Sequence, residues 1–231
     1  MAIVSDPGRN TGDRAQAEDC VHIRKKRGFY QTCGKRMTDV LLALIALAVL
    51  WLPMLLIALL ILIIDGRPVL YRQTRLGQGG KPITICKFRS MCPDADKRIG
   101  QLAPDMQRQY EREFKIDRDP RVTRLGALLR RSCLDELPQL WNILKGELSF
   151  VGPRPILPEE LRCYAPQEQA MFLSVRPGLT GYWQACARPE DTYTAGRRQK
   201  MELWYAQNVS FFFDLKILLR TVCTVIRKML G

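Results

Sequence analysis

Histidine is almost absent from this chain: His22 is the only one in 231 residues, and it lies in the N-terminal segment. Catalysis in the body of the protein must then work without imidazole. Carboxylates, helped by arginine, lysine or a metal ion, are left to carry it. Cys20, Cys33, Cys86, Cys92, Cys133, Cys163, Cys186 and Cys223 include no C-x-x-C pair, and with one histidine no zinc site is expected. Their scattered spacing, and the cytoplasmic location argued below, point to reduced thiols rather than a disulfide framework. There is no RNP pattern, no zinc-finger spacing and no run of interleaved aromatics, so no nucleic-acid partner is expected despite the basic charge. No internal repeat is visible. A cleavable signal peptide is not expected either, because the apolar run starts late, is long, and has no small-residue cleavage site after it.

Charge is missing altogether from residues 40–64, 25 positions with Pro53 near the centre. As a straight helix this run would reach roughly 37 Å, enough to cross a hydrocarbon core of about 30 Å. Basic residues stand on both sides: Lys25, Lys26, Arg27, Lys35 and Arg36 before it, Arg67, Arg72, Arg75, Lys81, Lys87 and Arg89 after it. Positive charge marks the cytoplasmic side, and here it marks both flanks. An interior proline removes a backbone hydrogen bond and clashes with the preceding turn. One reading is a re-entrant segment that bends at Pro53 and leaves on the side it entered. The other is a single span with a mild kink, since spanning helices tolerate proline.

The chain carries +13 net charge with a pI of about 9.6. Beside a membrane segment, that excess points to anionic headgroups and phosphate-bearing membrane substrates. Residues 1–34 read as a polar, flexible segment, 35–66 as the membrane hairpin, and 67–231 as one cytoplasmic domain of ordinary size. In that domain 69–75 and 82–91 read as a hairpin around Gly77-Gln78-Gly79-Gly80. Helices are expected over 94–113 with Asp94 as cap, 122–131, 136–144 with Gly146 ending it, and 159–173. Residues 151–158 read as irregular. Phe211–Leu230 reads as an amphipathic helix, with Lys216, Arg220 and Arg227 on one face and Phe212, Leu215, Leu219, Val222 and Ile226 on another. Such a helix either lies flat among headgroups or packs on the domain. The fold class expected is α+β, mainly helical, with a small β-hairpin.

The chemistry concentrates in Leu128-Leu129-Arg130-Arg131-Ser132-Cys133-Leu134-Asp135-Glu136-Leu137-Pro138-Gln139. Adjacent carboxylates at a helix start are ordinarily caps, favoured by the helix dipole. Here Arg130 and Arg131 precede them, and Pro153-Arg154-Pro155 follows the helix. An arginine between two prolines has little backbone freedom, so its guanidinium can be fixed for bidentate phosphate contact. Arg176-Pro177-Gly178 offers a similarly pinned arginine.

Several segments occur in order. They are Lys35-Arg36-x-x-Asp39, Lys87-Phe88-Arg89-Ser90-Met91, Asp119-Pro120-Arg121-Val122-Thr123 and Leu134-Asp135-Glu136-Leu137-Pro138-Gln139. Residues 146–155, 176–181 and Asp214-Leu215-Lys216-Ile217-Leu218 complete the set. Together they resemble the bacterial sugar transferases, the monotopic polyprenyl-phosphate phosphoglycosyl transferases, over about residues 35–228. The resemblance implies transfer of sugar 1-phosphate from a UDP-sugar to undecaprenyl phosphate at the cytoplasmic face of the bacterial inner membrane, with release of UMP. It implies Asp135 as nucleophile, Glu136 as its helper, and Mg²⁺ held by the two. Arg130, Arg154, Arg176, Lys87 and Arg89 become phosphate contacts, and Lys35, Arg36, Asp39 and Pro53 belong to the membrane hairpin. The partners implied are undecaprenyl phosphate, a UDP-sugar, inner-membrane lipids, the glycosyltransferases that act next, and a second copy of the chain. An inactive membrane-tethered scaffold of the same fold is the competing reading, and the intact Asp135-Glu136 pair and Arg154 count against it. Two departures stand out: Leu52 precedes Pro53 where the family often has serine, and Ala185-Cys186-Ala187-Arg188-Pro189 replaces a Ser-Gly-Arg-Asn stretch.

Overall fold

A computed structural model describes residues 29–186 and 196–230. After a short π-helical turn, Tyr30–Gly34, the apolar run forms α1 (Lys35–Ile64). The hairpin follows as expected, β1 (Leu70–Leu76) paired antiparallel with β2 (Pro82–Phe88), Leu70 opposite Phe88 and Leu76 opposite Pro82. A 3-10 segment Ala95–Gln101, α2 (Pro104–Glu113) and α3 (Arg124–Arg131) come next. A 3-10 turn Leu134–Gln139 leads into α4 (Leu140–Lys145), which closes at Gly146. β3 (Ser149–Val151), a 3-10 turn Pro158–Cys163 and α5 (Pro166–Phe172) precede β4 (Gly178–Thr180), which pairs parallel with β3. α6 (Tyr182–Cys186), α7 (Arg197–Gln207) and α8 (Phe211–Leu230) complete the described chain.

Prolines break two of the expected helices. The helix expected over 94–113 is divided at Pro104 and that over 159–173 at Pro166, because the residue before a proline is pushed out of the helical region. Ala103 and Ala165 are accordingly extended, with ψ of 145° and 152°. Asp94 does not cap its helix. It takes a left-handed backbone and its carboxylate pairs with Lys97 instead.

The expected break at Pro53 is absent, and α1 runs through it uninterrupted. Tertiary packing explains this. Ala43, Ala46, Leu47 and Leu50 pack against Ile85, Leu140, Ile143 and Leu148. Beyond the proline, Met54, Ile57, Ala58 and Ile61 pack against Phe88, Leu129, Leu134 and Leu137. These positions recur at three- and four-residue steps, one stripe of one helix. Burying each aliphatic side chain contributes roughly 1.5–3 kcal/mol. Contacts on both sides of Pro53 together outweigh the roughly 3 kcal/mol it costs.

Both ends of α1 are fastened to the same domain. At its start, Lys35 pairs with Asp214, Arg36 donates to the Ile143 and Leu144 carbonyls, and Asp39 accepts from Ser149 Oγ and the Phe150 N–H. At its end, Arg89 donates to the carbonyls of Asp65, Gly66 and Arg67, and Thr123 donates to Asp65. The remaining faces of α1, including Leu41, Val49, Trp51, Leu55 and Ile63, are exposed.

The C-terminal helix α8 covers the range expected for it. Asp214 and Ile217 face the domain, while Phe212, Leu215, Leu219, Val222 and Ile226 point outward, so its apolar face is not the one packed on the core. Contiguous apolar surface of this kind needs a partner other than water.

Candidate active site

The Asp135–Glu136 pair sits in the turn between α3 and α4, and local packing fixes that turn. Thr123 caps α3 by accepting from the Gly126 N–H. A Cβ on Gly126 would lie 2.0 Å from the Ser90 carbonyl oxygen, so only glycine lets α3 approach the end of β2 this closely. Cys133, with φ of 57°, reverses the chain after α3 and presents its carbonyl to the Glu136 N–H. Leu134 and Leu137 then anchor the turn on the second half of α1. The dyad is thereby built directly onto the apolar helix.

Asp135 is buried, 7% exposed, and Glu136 is half-buried. Burial pushes the Asp135 carboxyl up to about 6; Lys87 and Arg130 oppose that rise and the Glu136 charge adds to it. Burial acts on Glu136 in the same sense, but Lys87, Arg154 and Lys228 overcome it and hold this carboxyl below its ordinary value. The Lys87 ammonium lies 2.5 Å from Glu136 Oε1. Two neighbouring carboxylates therefore titrate apart, one firmly ionised and one poised near neutrality.

The structure brings Lys87, Arg130 and Arg154 around this pair. Arg130 is oriented by a 2.8 Å bond from its Nε to Ser90 Oγ. Arg154 has no hydrogen-bond or ion-pair partner among the described residues, and its positive field reaches Glu136. Its loop is stitched to that of Arg176: Gly178 N–H donates to the Pro153 carbonyl, Ser149 N–H to Pro177, and Gly152 N–H to Thr180. A Cβ on Gly152 would stand 2.4 Å from the Arg176 carbonyl oxygen, so glycine is required where the loops touch. The Arg176 guanidinium is likewise without a partner among the described residues.

Arg89 is not brought into the cluster. It is 4% exposed, and its guanidinium is spent on three carbonyl oxygens at the C-terminal end of α1, at 2.5–2.8 Å. Its role is to hold that helix end, where a cation also suits the dipole. Lys35, Arg36 and Asp39 likewise serve as fasteners of α1.

Sequence reasoning passed over two features. One is Lys228, whose charge reaches Glu136 from the far end of α8. The other is a buried chain of charges in which Arg75 pairs with Glu160, Glu160 with Arg198, and Arg198 with Glu202. Arg75 also reaches the Pro155 carbonyl, and Leu76 N–H bonds Ile156, so this chain holds the Arg154 loop from behind. Nothing in the local sequence of these residues announced their meeting.

Among the described residues no three His, Cys, Asp or Glu side chains gather as a metal cage. Mg²⁺ needs no such cage: one or two carboxylates, with substrate phosphates and water, complete its octahedron. Asp135 and Glu136 fit that donor set.

The site is thus a pair of adjacent carboxylates in a turn packed on the apolar helix, with cations around it. Residues 30–228 match the family profile of the bacterial sugar transferases, and the chain belongs to that family. It is 40% identical to the exopolysaccharide production protein ExoY of Rhizobium meliloti over 195 residues, 83% of this chain and 85% of that one. It is 36% identical to the UDP-galactose-lipid carrier transferase of Erwinia amylovora over 84% of this chain and 40% of that one. It is 38% identical to the undecaprenyl-phosphate galactose phosphotransferase of Salmonella typhimurium over 71% of this chain and 34% of the relative. The chain thus spans about two fifths or less of the length of these last two.

Proposed function

We propose that this protein transfers sugar 1-phosphate from a UDP-sugar to undecaprenyl phosphate and releases UMP. One observation carries the reading: Asp135 lies in a turn seated on the apolar helix and faces a group of cations, where a lipid-borne phosphate and a water-borne diphosphate can meet. The names of the Erwinia and Salmonella relatives agree with a lipid-carrier substrate.

In the first half-reaction an Asp135 carboxylate oxygen attacks the phosphorus that bears the sugar. The bond from that phosphorus to the bridging oxygen breaks, and UMP leaves with the electron pair. An acyl phosphate to the sugar remains on Asp135. In the second half-reaction a phosphate oxygen of undecaprenyl phosphate attacks the same phosphorus, and the Asp135 carboxylate departs. Two anions meet in each step, so neutralisation of charge is the main requirement. Arg130 and Arg154, whose charges reach the dyad, hold phosphate oxygens in this reading, and the family resemblance assigns Arg176 the same role. Lys87 keeps Glu136 ionised and lowers the proton affinity of Asp135. Mg²⁺, when bound by the two carboxylates, supplies further neutralisation of the diphosphate.

The same reading places both termini of α1 and the catalytic domain at the cytoplasmic face of the bacterial inner membrane. The anchorage of both helix ends to one domain supports a monotopic attachment. The outward faces of α1 and α8 then meet lipid.

Purified protein in nanodiscs, given undecaprenyl phosphate, Mg²⁺ and a panel of UDP-sugars, is expected to release UMP with one or a few of them. EDTA and Asp135→Asn should both abolish the release. UMP formation that survives in Asp135→Asn would overturn the nucleophile.

A further inference from the structure

The far end of α8 returns to the dyad. Arg131 Nε donates to the Lys228 carbonyl oxygen at 2.6 Å, joining the last turn of α8 to the last turn of α3. Three residues after Arg131 the dyad turn begins. The Lys228 ammonium has no partner among the described residues. It is exposed. The terminal nitrogens of Arg131 are also unengaged among the described residues. Around these two cations the surface is apolar and open: Leu128 is 65% exposed, Ile226 50% and Met229 56%.

Two cations without an acidic partner among the described residues, close in sequence and space to the dyad turn and framed by exposed apolar side chains, suit one kind of ligand: a phosphomonoester on a long apolar chain. From this juxtaposition we infer that Lys228 and Arg131 form the docking site for the phosphate of the lipid acceptor, with Leu128, Ile226 and Met229 beside the first part of its chain. This rests on the transferase reading above. Arg130 and Arg154, whose charges reach the two carboxyls, serve the donor diphosphate, while Lys228 and Arg131 receive the second substrate from the membrane side. Each displacement is in line, so the acceptor oxygen enters on the side of the phosphorus that UMP has left, and Lys228 and Arg131 hold the acceptor phosphate at the rim of that vacated place. Lys228 comes from a helix whose apolar face is turned outward, so its height is tied to the lipid surface. A bulk anionic phospholipid offers related chemistry, and the test separates the two.

The experiment uses the full chain in nanodiscs, as wild type, Lys228→Gln, Lys228→Arg and, as control, Lys216→Gln on the same helix. Thermal stabilisation by undecaprenyl phosphate is compared with that by undecaprenol. The phosphate-dependent part should be largely lost in Lys228→Gln and retained in Lys228→Arg and Lys216→Gln. With a donor that turns over, the KM for undecaprenyl phosphate should rise about tenfold in Lys228→Gln, the loss of one charge-assisted phosphate contact, while the KM for the UDP-sugar stays within twofold. Binding to phosphatidylglycerol vesicles should fall equally in Lys228→Gln and Lys216→Gln. The inference is overturned if Lys228→Gln keeps the phosphate-dependent stabilisation, if both KM values rise together, or if Lys216→Gln reproduces the acceptor defect. Wild-type protein that is stabilised by undecaprenyl phosphate but releases no UMP from any donor would sink the transferase reading instead, leaving the docking site to be judged by the stabilisation measurement.

Discussion

Lys87 Nζ stands 2.5 Å from Glu136 Oε1, and this pair sets the charge state of its neighbour Asp135. Lys87 is the strongest influence opposing the burial that raises Asp135. Replacing it with methionine removes a cation beside a buried carboxyl, so the Asp135 pKa must rise further. The pH profile of kcat/KM for UMP release should show an acidic limb set by ionisation of Asp135, whose carboxyl burial raises above its ordinary value. In Lys87→Met that limb should move to higher pH, with activity at pH 7.5 down by about 10²-fold or more. An unmoved limb would mean that Lys87 does not act on the nucleophile.

Asp135 is also a stability liability. Its carboxyl titrates at about 6 in the folded chain, against 3.8 ordinarily. The fold favours the protonated form, so the favourable contribution is complete below pH 4 and is lost as pH rises through 6. Above that, the ionised group costs up to about 3 kcal/mol. Asp135→Asn stays neutral throughout. It should therefore be inactive yet melt at a higher temperature than the wild type at pH 7.5, with the gap closing by pH 4. A variant less stable than the wild type at pH 7.5 would show that the burial argument is wrong.

How much of this was legible in the sequence varies with the kind of interaction. The hairpin, the end of α4 at Gly146 and the extent of α8 were, because period, turn residues and caps act locally. The joining of Asp135, Lys87, Arg130 and Arg154 followed from a family resemblance, since nothing in spacing alone brings β2 to the turn after α3. Pro53 misled, because a breaker was weighed without the stripe from Ala43 to Ile61 that packs on both sides of it. Arg89 misled as well: the resemblance made it a phosphate contact, but its guanidinium donates to three carbonyls at the end of α1. The Arg75–Glu160–Arg198–Glu202 chain joins residues far apart in sequence and has no local signature.

The two roles open to Arg89 make different predictions. As a phosphate ligand, its loss would raise the donor KM and leave the fold intact. As the fastener of α1, its replacement by alanine leaves three carbonyls without their donor in a buried site. A loss of about 2–4 kcal/mol is expected. Arg89→Ala should melt earlier, and the folded fraction should keep the wild-type KM for the UDP-sugar. A raised donor KM with unchanged melting would restore the phosphate-binding role.

The attachment of α1 can be read from two native thiols. Cys33 is exposed in the turn before α1, and Cys163 is exposed on the catalytic domain. A spanning helix would put them on opposite sides of the membrane. The structure instead ties Lys35, two residues after Cys33, to Asp214 at 2.5 Å, and ties Asp65 at the other end of the helix to Thr123 at 2.8 Å. Moving Cys33 across the bilayer would have to break the Lys35, Arg36 and Asp39 contacts together, several charge-assisted bonds of roughly 1.5–3 kcal/mol each. Single-cysteine variants that retain only Cys33 or only Cys163 should therefore react alike with a membrane-impermeant maleimide. Both should label in inverted inner-membrane vesicles and neither in intact spheroplasts. Labelling of Cys33 alone in spheroplasts would establish a span, and the dyad would then have to be reached by a lipid phosphate without the helix arrangement described above.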